Sequence, residues 1–178
     1  MGFIVGIVII GLAIWGGNRF YSSYKTKKVF NDRQKKYKET HQLSDKDLEL
    51  FKKTMGEMKN QILGIEEATN KNKDLKKIEN SEAGIKSAKE IFQELMAEPN
   101  ELTKYGDFIY KKLPSMLDAC IRLNKIEGTK LNSKEIRESV DSILETVTFI
   151  SASITDEYER IVKEDSEEIA LSKKVIGK

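Results

Sequence analysis

Few side chains in this sequence are of types that carry out chemistry, and each sits in a telling context. Asp45-Lys46-Asp47 resembles the paired aspartates of phosphate-transferring hydrolases. Those pairs follow a buried strand, whereas this one follows Ser44 and opens an amphipathic run. Its simpler reading is a capping box, with Ser44 as N-cap and acidic side chains near the positive end of a helix. Cys120 is the single sulfur nucleophile available. A reactive thiol needs exposure and a nearby cation, but Cys120 lies between Met116 and Leu123 on one helical stripe, a place for a small buried hydrophobe. His41 is the lone histidine, so an ordinary Ser-His-Asp triad would depend on a residue in a polar connector. Glu66-Glu67, Asp156-Glu157 and Glu167-Glu168 fall among polar helix positions and read as solvated faces.

The standard signatures are missing too. The sequence contains no GxxxxGK[ST], GxGxxG, HExxH or GxSxG. One Cys and one His rule out a thiolate zinc cage within one chain and His-rich metal sites. The Glu-x-x-His motif of di-metal bundles is also absent. The sequence therefore predicts no catalytic residues, no cofactor and no metal ligands.

The elements that must position these residues are helices. In 178 residues, 34% are charged, 8% are aromatic and two are Pro, a composition that favours helix over sandwich or barrel. Leu48, Phe51, Met55, Met58, Ile62 and Ile65 recur at alternating steps of 3 and 4. A second stripe runs Leu75, Ile78, Ile85, Ala88, Phe92 and Leu95, with Gly84 weakening its first half and Pro99 ending it. A third uses Leu102, Tyr105, Ile109, Leu113, Met116, Cys120 and Leu123, and Pro114 within it predicts a kink or a split. The longest, opened by Ser133, runs from Ile136 to Ile161. Stripes of this kind predict one antiparallel bundle of about four helices over residues 44–178.

Charge is unevenly distributed. Residues 1–17 carry no charged side chain, while residues 18–40 hold eight basic side chains against Asp32 and Glu39, a net +6. Seventeen helical residues span roughly 25 Å, slightly under a hydrocarbon core, and Phe20, Tyr21 and Tyr24 can extend the segment into the interface. With the charges after the apolar run and not before it, the expectation is an uncleaved transmembrane anchor at 1–17. Its basic flank at 18–43 then stays in the cytoplasm. Arg19, Lys25, Lys27, Lys28, Arg33, Lys35 and Lys36 are the expected contacts to anionic lipid. Tethering makes lipid the nearer anion, so no nucleic acid is expected.

At the third stripe, Phe108-Ile109-Tyr110-Lys111-Lys112-Leu113-Pro114-Ser115-Met116-Leu117 resembles the Phe-Leu-x-Tyr-x-Leu-Pro-x-x-Leu core of the XpaC-like family. Members of that family are described as 5-bromo-4-chloroindolyl phosphate hydrolysis proteins. The resemblance covers about residues 75–178. Tyr110 stands one position early, and Glu164, Asp165, Glu167 and Glu168 are a reduced form of the family's Asp-rich segment. The resemblance implies an association with toxic-anion (tellurite) resistance proteins, and nominally hydrolysis of such phosphate esters. It supplies no catalytic residue. Phe108, Tyr110, Leu113, Pro114 and Leu117 read as motif and packing positions.

The resulting expectation is an all-α, single-pass bacterial membrane protein. Its cytoplasmic bundle would meet a protein partner, with homo-oligomerisation left open and hydrolysis of indolyl phosphate esters as the alternative. Protease added to intact spheroplasts should leave residues 18–178 uncut, and digestion there would refute the orientation.

Overall fold

A computed structural model describes the backbone of residues 25–176, and of their side chains 33–164, 166 and 167. The expected anchor at 1–17, Arg19 and the aromatic residues after it lie outside the described residues, as do the side chains of Lys25, Lys27 and Lys28. Among the described residues there is no strand, and no helix is long and apolar enough to cross a membrane. The helices are α1 (Lys25–Thr40), α2 (Asp45–Asn70), α3 (Lys73–Glu82), α4 (Gly84–Ala97), α5 (Leu113–Gly128) and α6 (Lys134–Ile176). A 3-10 segment, Pro99–Tyr105, and a π segment, Phe108–Lys112, precede α5. The all-helical expectation holds.

The chain forms two compact units. Among the described residues, one comprises 25–57 together with Phe92–Tyr105, and the other comprises Met58–Ile91 and 106–176. In the first unit the capping box forms as expected. Ser44 Oγ accepts from the Asp47 N–H at 3.1 Å, and the Asp47 carboxylate accepts from the Ser44 N–H at 3.2 Å and from its hydroxyl at 2.6 Å. These bonds hold Asp47 below its usual carboxylate value, so this pair is a cap. Tyr37 docks α1: its hydroxyl donates to the Met96 carbonyl at 2.9 Å and its ring lies 5.9 Å from that of Phe51.

In the second unit, side-chain contacts join α2 to α4 and α5, and the π segment to α6. Lys89 of α4 meets Glu66 of α2 at 2.8 Å, Asn124 of α5 bonds the Ala68 carbonyl at 3.0 Å, and Lys112 meets Glu157 of α6 at 2.5 Å. Met58, Ile62, Ile65, Leu75, Ile91, Phe108, Leu113, Cys120, Leu123, Val147 and Ile154 are buried here. The second stripe is broken between α3 and α4. Ala83 adopts a left-handed conformation (φ 56°), and its N–H bonds the Glu79 carbonyl at 2.9 Å.

Gly84 follows that break for a steric reason, because α6 crosses there. A Cβ on Gly84 would lie 2.8 Å from Ser151 Cα and 2.2 Å from its Oγ. Without it, the Gly84 N–H donates to Ser151 Oγ at 3.1 Å. The Thr155 hydroxyl donates to the Glu82 carbonyl at 2.6 Å, which leaves the Ser87 hydroxyl to donate to Thr155 Oγ1 at 2.9 Å.

The third stripe is split as Pro114 predicts. Proline lacks an N–H and its ring clashes with the carbonyl four residues back. The helix widens ahead of it: the Leu113 N–H reaches the Phe108 carbonyl, five residues away. Pro114 then sits in the first turn of α5, where a missing N–H costs nothing.

Gly84→Ala should destabilise the full chain by about 1–3 kcal/mol, since the new methyl meets backbone. Gly64→Ala should cost less, because its Cβ would meet only the mobile end of Leu117. Chemical-denaturation midpoints compare the two.

Candidate functional site

The second unit holds a cleft of about 400 Å³ where the end of α2 faces α3 and the start of α4. Glu66, Thr69, Lys76, Glu79, Lys86 and Lys89 are among its lining. The sequence pattern brings them together indirectly. Asn72 caps α3, its Oδ1 accepting from the Asp74 and Leu75 N–H groups at 2.9 and 3.2 Å. Its amide nitrogen donates to Asn124 Oδ1 at 3.0 Å and to Glu127 Oε2 at 2.6 Å, fastening the α2–α3 corner to α5.

Glu79 is the central group of the cleft. From α3 it reaches across the Ala83 break, and its carboxylate accepts the Ile85 and Lys86 N–H groups at 2.8 and 3.0 Å. With the Gly84 N–H on Ser151, three first-turn donors of α4 are satisfied by side chains outside the helix. Burial raises the pKa of Glu79 above the usual carboxylate value. The two N–H bonds and Lys89 pull it down, and the charge of Glu66 adds to the rise. A carboxyl that takes up a proton easily, beside the side chains of Lys76, Lys86 and Lys89, can bind an anion and give it a proton.

Of the positions singled out in the sequence, Glu66 lines this cleft, while the motif residues and the exposed basic residues of α1 do not. Phe108 and Leu113 are wholly buried, and Pro114 and Leu117 are half-buried. Tyr110 is a correction: it is 61% exposed. The wider turn puts Ile109 inward beside Phe108 and leaves Tyr110 outside. Arg33, Lys35 and Lys36 are exposed on α1, with Lys35 3.9 Å from Glu39. His41 is less solitary than its sequence setting suggests. Its ring centroid lies 4.5 Å from that of Tyr37, and its carbonyl accepts from Asn100 Nδ2 at 3.1 Å.

Cys120 is buried, and burial pushes its thiol up to about 12, far from a reactive thiolate. No group of three or more His, Cys, Asp or Glu able to hold a metal occurs among the described residues. Sequence reasoning missed Glu79 and Lys112. Lys112 donates to the Ser153 carbonyl at 3.1 Å as well as to the nearly buried Glu157. The signal for the corner was present, since Asn72 precedes a helical run as an N-cap residue does. Nothing in the local pattern marks a glutamate that bonds the next helix across a left-handed residue.

A family model described as 5-bromo-4-chloroindolyl phosphate hydrolysis protein matches residues 1–175. The chain belongs to that family. The match reaches well upstream of the region at about 75–178 that carries the motif resemblance, and it includes the apolar and basic segments. No curated protein and no solved structure matches the chain.

Raised by burial, the Glu79 carboxyl favours the folded state most when protonated. That contribution is complete below the usual carboxylate value and is lost as pH rises through the raised one. Glu79→Gln should abolish this fall in stability with pH. It should also cost about 1 kcal/mol, because an amide offers one acceptor to two N–H groups. Urea denaturation at several pH values reads both effects.

Proposed function

We propose that this family member is a single-pass protein of the bacterial cell membrane whose helical part lies in the cytoplasm and meets a protein partner. The observation that carries this reading is how the polar groups of the second unit are used. Asn72, Glu79, Ser151, Thr155 and the Lys112–Glu157 pair each fasten one helix or turn to another. The basic segment, with Arg33, Lys35 and Lys36 exposed on α1, suits contact with anionic headgroups beside an apolar anchor. In this reading the partner is a toxic-anion (tellurite) resistance protein, an association the family resemblance suggests, or an envelope-stress protein.

A second reading, hydrolysis of indolyl phosphate esters, is favoured by the family description and by the cleft. There Lys76, Lys86 and Lys89 would hold the phosphoryl oxygens, and Glu79 would protonate the leaving oxygen. Turnover of 5-bromo-4-chloroindolyl phosphate by the purified full chain, with and without divalent metal, separates the two. The expected result is a rate at background. Turnover that survives purification and falls in both Lys86→Gln and Glu79→Gln would overturn the first reading in favour of the second.

A further inference from the structure

The family motif leaves an apolar stripe on the outside of the second unit. Tyr110, Pro114, Leu117 and Ile121 recur at steps of 4, 3 and 4, the spacing of a coiled-coil seam. Tyr110 and Ile121 are 61% and 53% exposed, and Pro114 and Leu117 are half-buried between them. Leu63, 40% exposed, stands on α2 next to Gly64, against which Leu117 leans. Single exposed apolar residues need no explanation, but Tyr110 and Ile121, exposed at the two ends of one stripe that runs from the π segment into α5, do.

The two flanks of the stripe differ. On one side Leu113 and Cys120 are wholly buried in the protein's own core, so no partner reaches that flank. On the other side stand Lys111 and Asp118, with side chains 74% and 61% exposed. They carry opposite charges seven residues apart. Each is supported on its own helix, Lys111 by Asp107 at 2.7 Å and Asp118 by Arg122 at 2.6 Å.

We propose that this stripe is the seam of a homodimer in which a second copy packs antiparallel on it. Aligning Tyr110 with Ile121 of the second copy, and Pro114 with Leu117, places Lys111 beside Asp118 of the second copy. Two-fold symmetry then forms the pair twice. A parallel copy would instead bring the open flank of one helix against the buried flank of the other, where Leu113 and Cys120 leave no room. Charge complementarity and the single open flank thus select both the occupant and its direction.

The test uses the purified full chain and its concentration-dependent mass by sedimentation. Lys111→Asp or Asp118→Lys alone should weaken self-association about tenfold, and the two together should restore it. Circular dichroism confirms that each variant keeps its helices. A mixture of Tyr110→Cys and Ile121→Cys proteins should form the mixed disulfide dimer in preference to either like pair. Several outcomes would overturn the proposal: a chain that stays monomeric, dimers indifferent to both charge reversals, reversals that the double variant does not rescue, or like-pair disulfides that predominate. Dimers held together elsewhere in the chain, by the small residues of its apolar segment for example, fall under the second of these.

Discussion

Where α4 begins against α6, there is room for a hydrogen on Gly84 and for nothing larger, because Ser151 Cα and Oγ occupy the space. Much of the second unit follows from that close crossing. It lets the Ser151 hydroxyl accept the Gly84 N–H and brings Thr155 within reach of the Glu82 carbonyl and of Ser87. The α3–α4 break is thereby fixed by α6, which is distant in sequence. Glu79 can then lie along the start of α4, and the cleft takes its shape from this arrangement.

The polar groups at these joints are nearly all satisfied, which is what a helical fold with many short elements demands. Every break between helices exposes orphan N–H and C=O groups, and a helix end left unpaired in the interior costs more than the bond itself contributes. Asn72 answers this at one corner by accepting two N–H groups and donating to two side chains of α5. The Lys112–Glu157 pair does so differently, tying the π segment to α6 with a charged bond whose acid is nearly enclosed. Removing one partner of such a pair is more damaging than never having had it, since the other charge stays behind in poor solvent.

Much of the helical architecture was legible because apolar periodicity and caps are local. The stripe from Phe51 to Ile65, the Ser44 cap, the stop at Pro99 and the split at Pro114 all follow from residues within a turn or two of one another. What the pattern hid is non-local. Gly84 looks like ordinary punctuation, yet the left-handed residue is Ala83, and the glycine is needed for the sake of Ser151 sixty-seven positions away. His41 likewise reads as solvated, yet its carbonyl accepts from Asn100, fifty-nine positions away. The cleft around Glu79 could not be foreseen, since its lysines are unremarkable members of solvated faces until the break turns them toward one opening.

The π segment gives the family motif a geometric meaning. Phe108 and Leu113 are five residues apart, an interval that on a regular α-helix would send them about 140° apart around the axis. Widening the turn brings them back into phase, and both become part of the same core. The surplus residue acts as a phase corrector: it clears the ring of Pro114 and reconciles two stretches of helix whose apolar faces would otherwise be out of step. Deleting one residue from Tyr110–Lys112 would return the turn to an ordinary helix and set the proline against the preceding carbonyl. Chain length here is therefore constrained by angle rather than by distance.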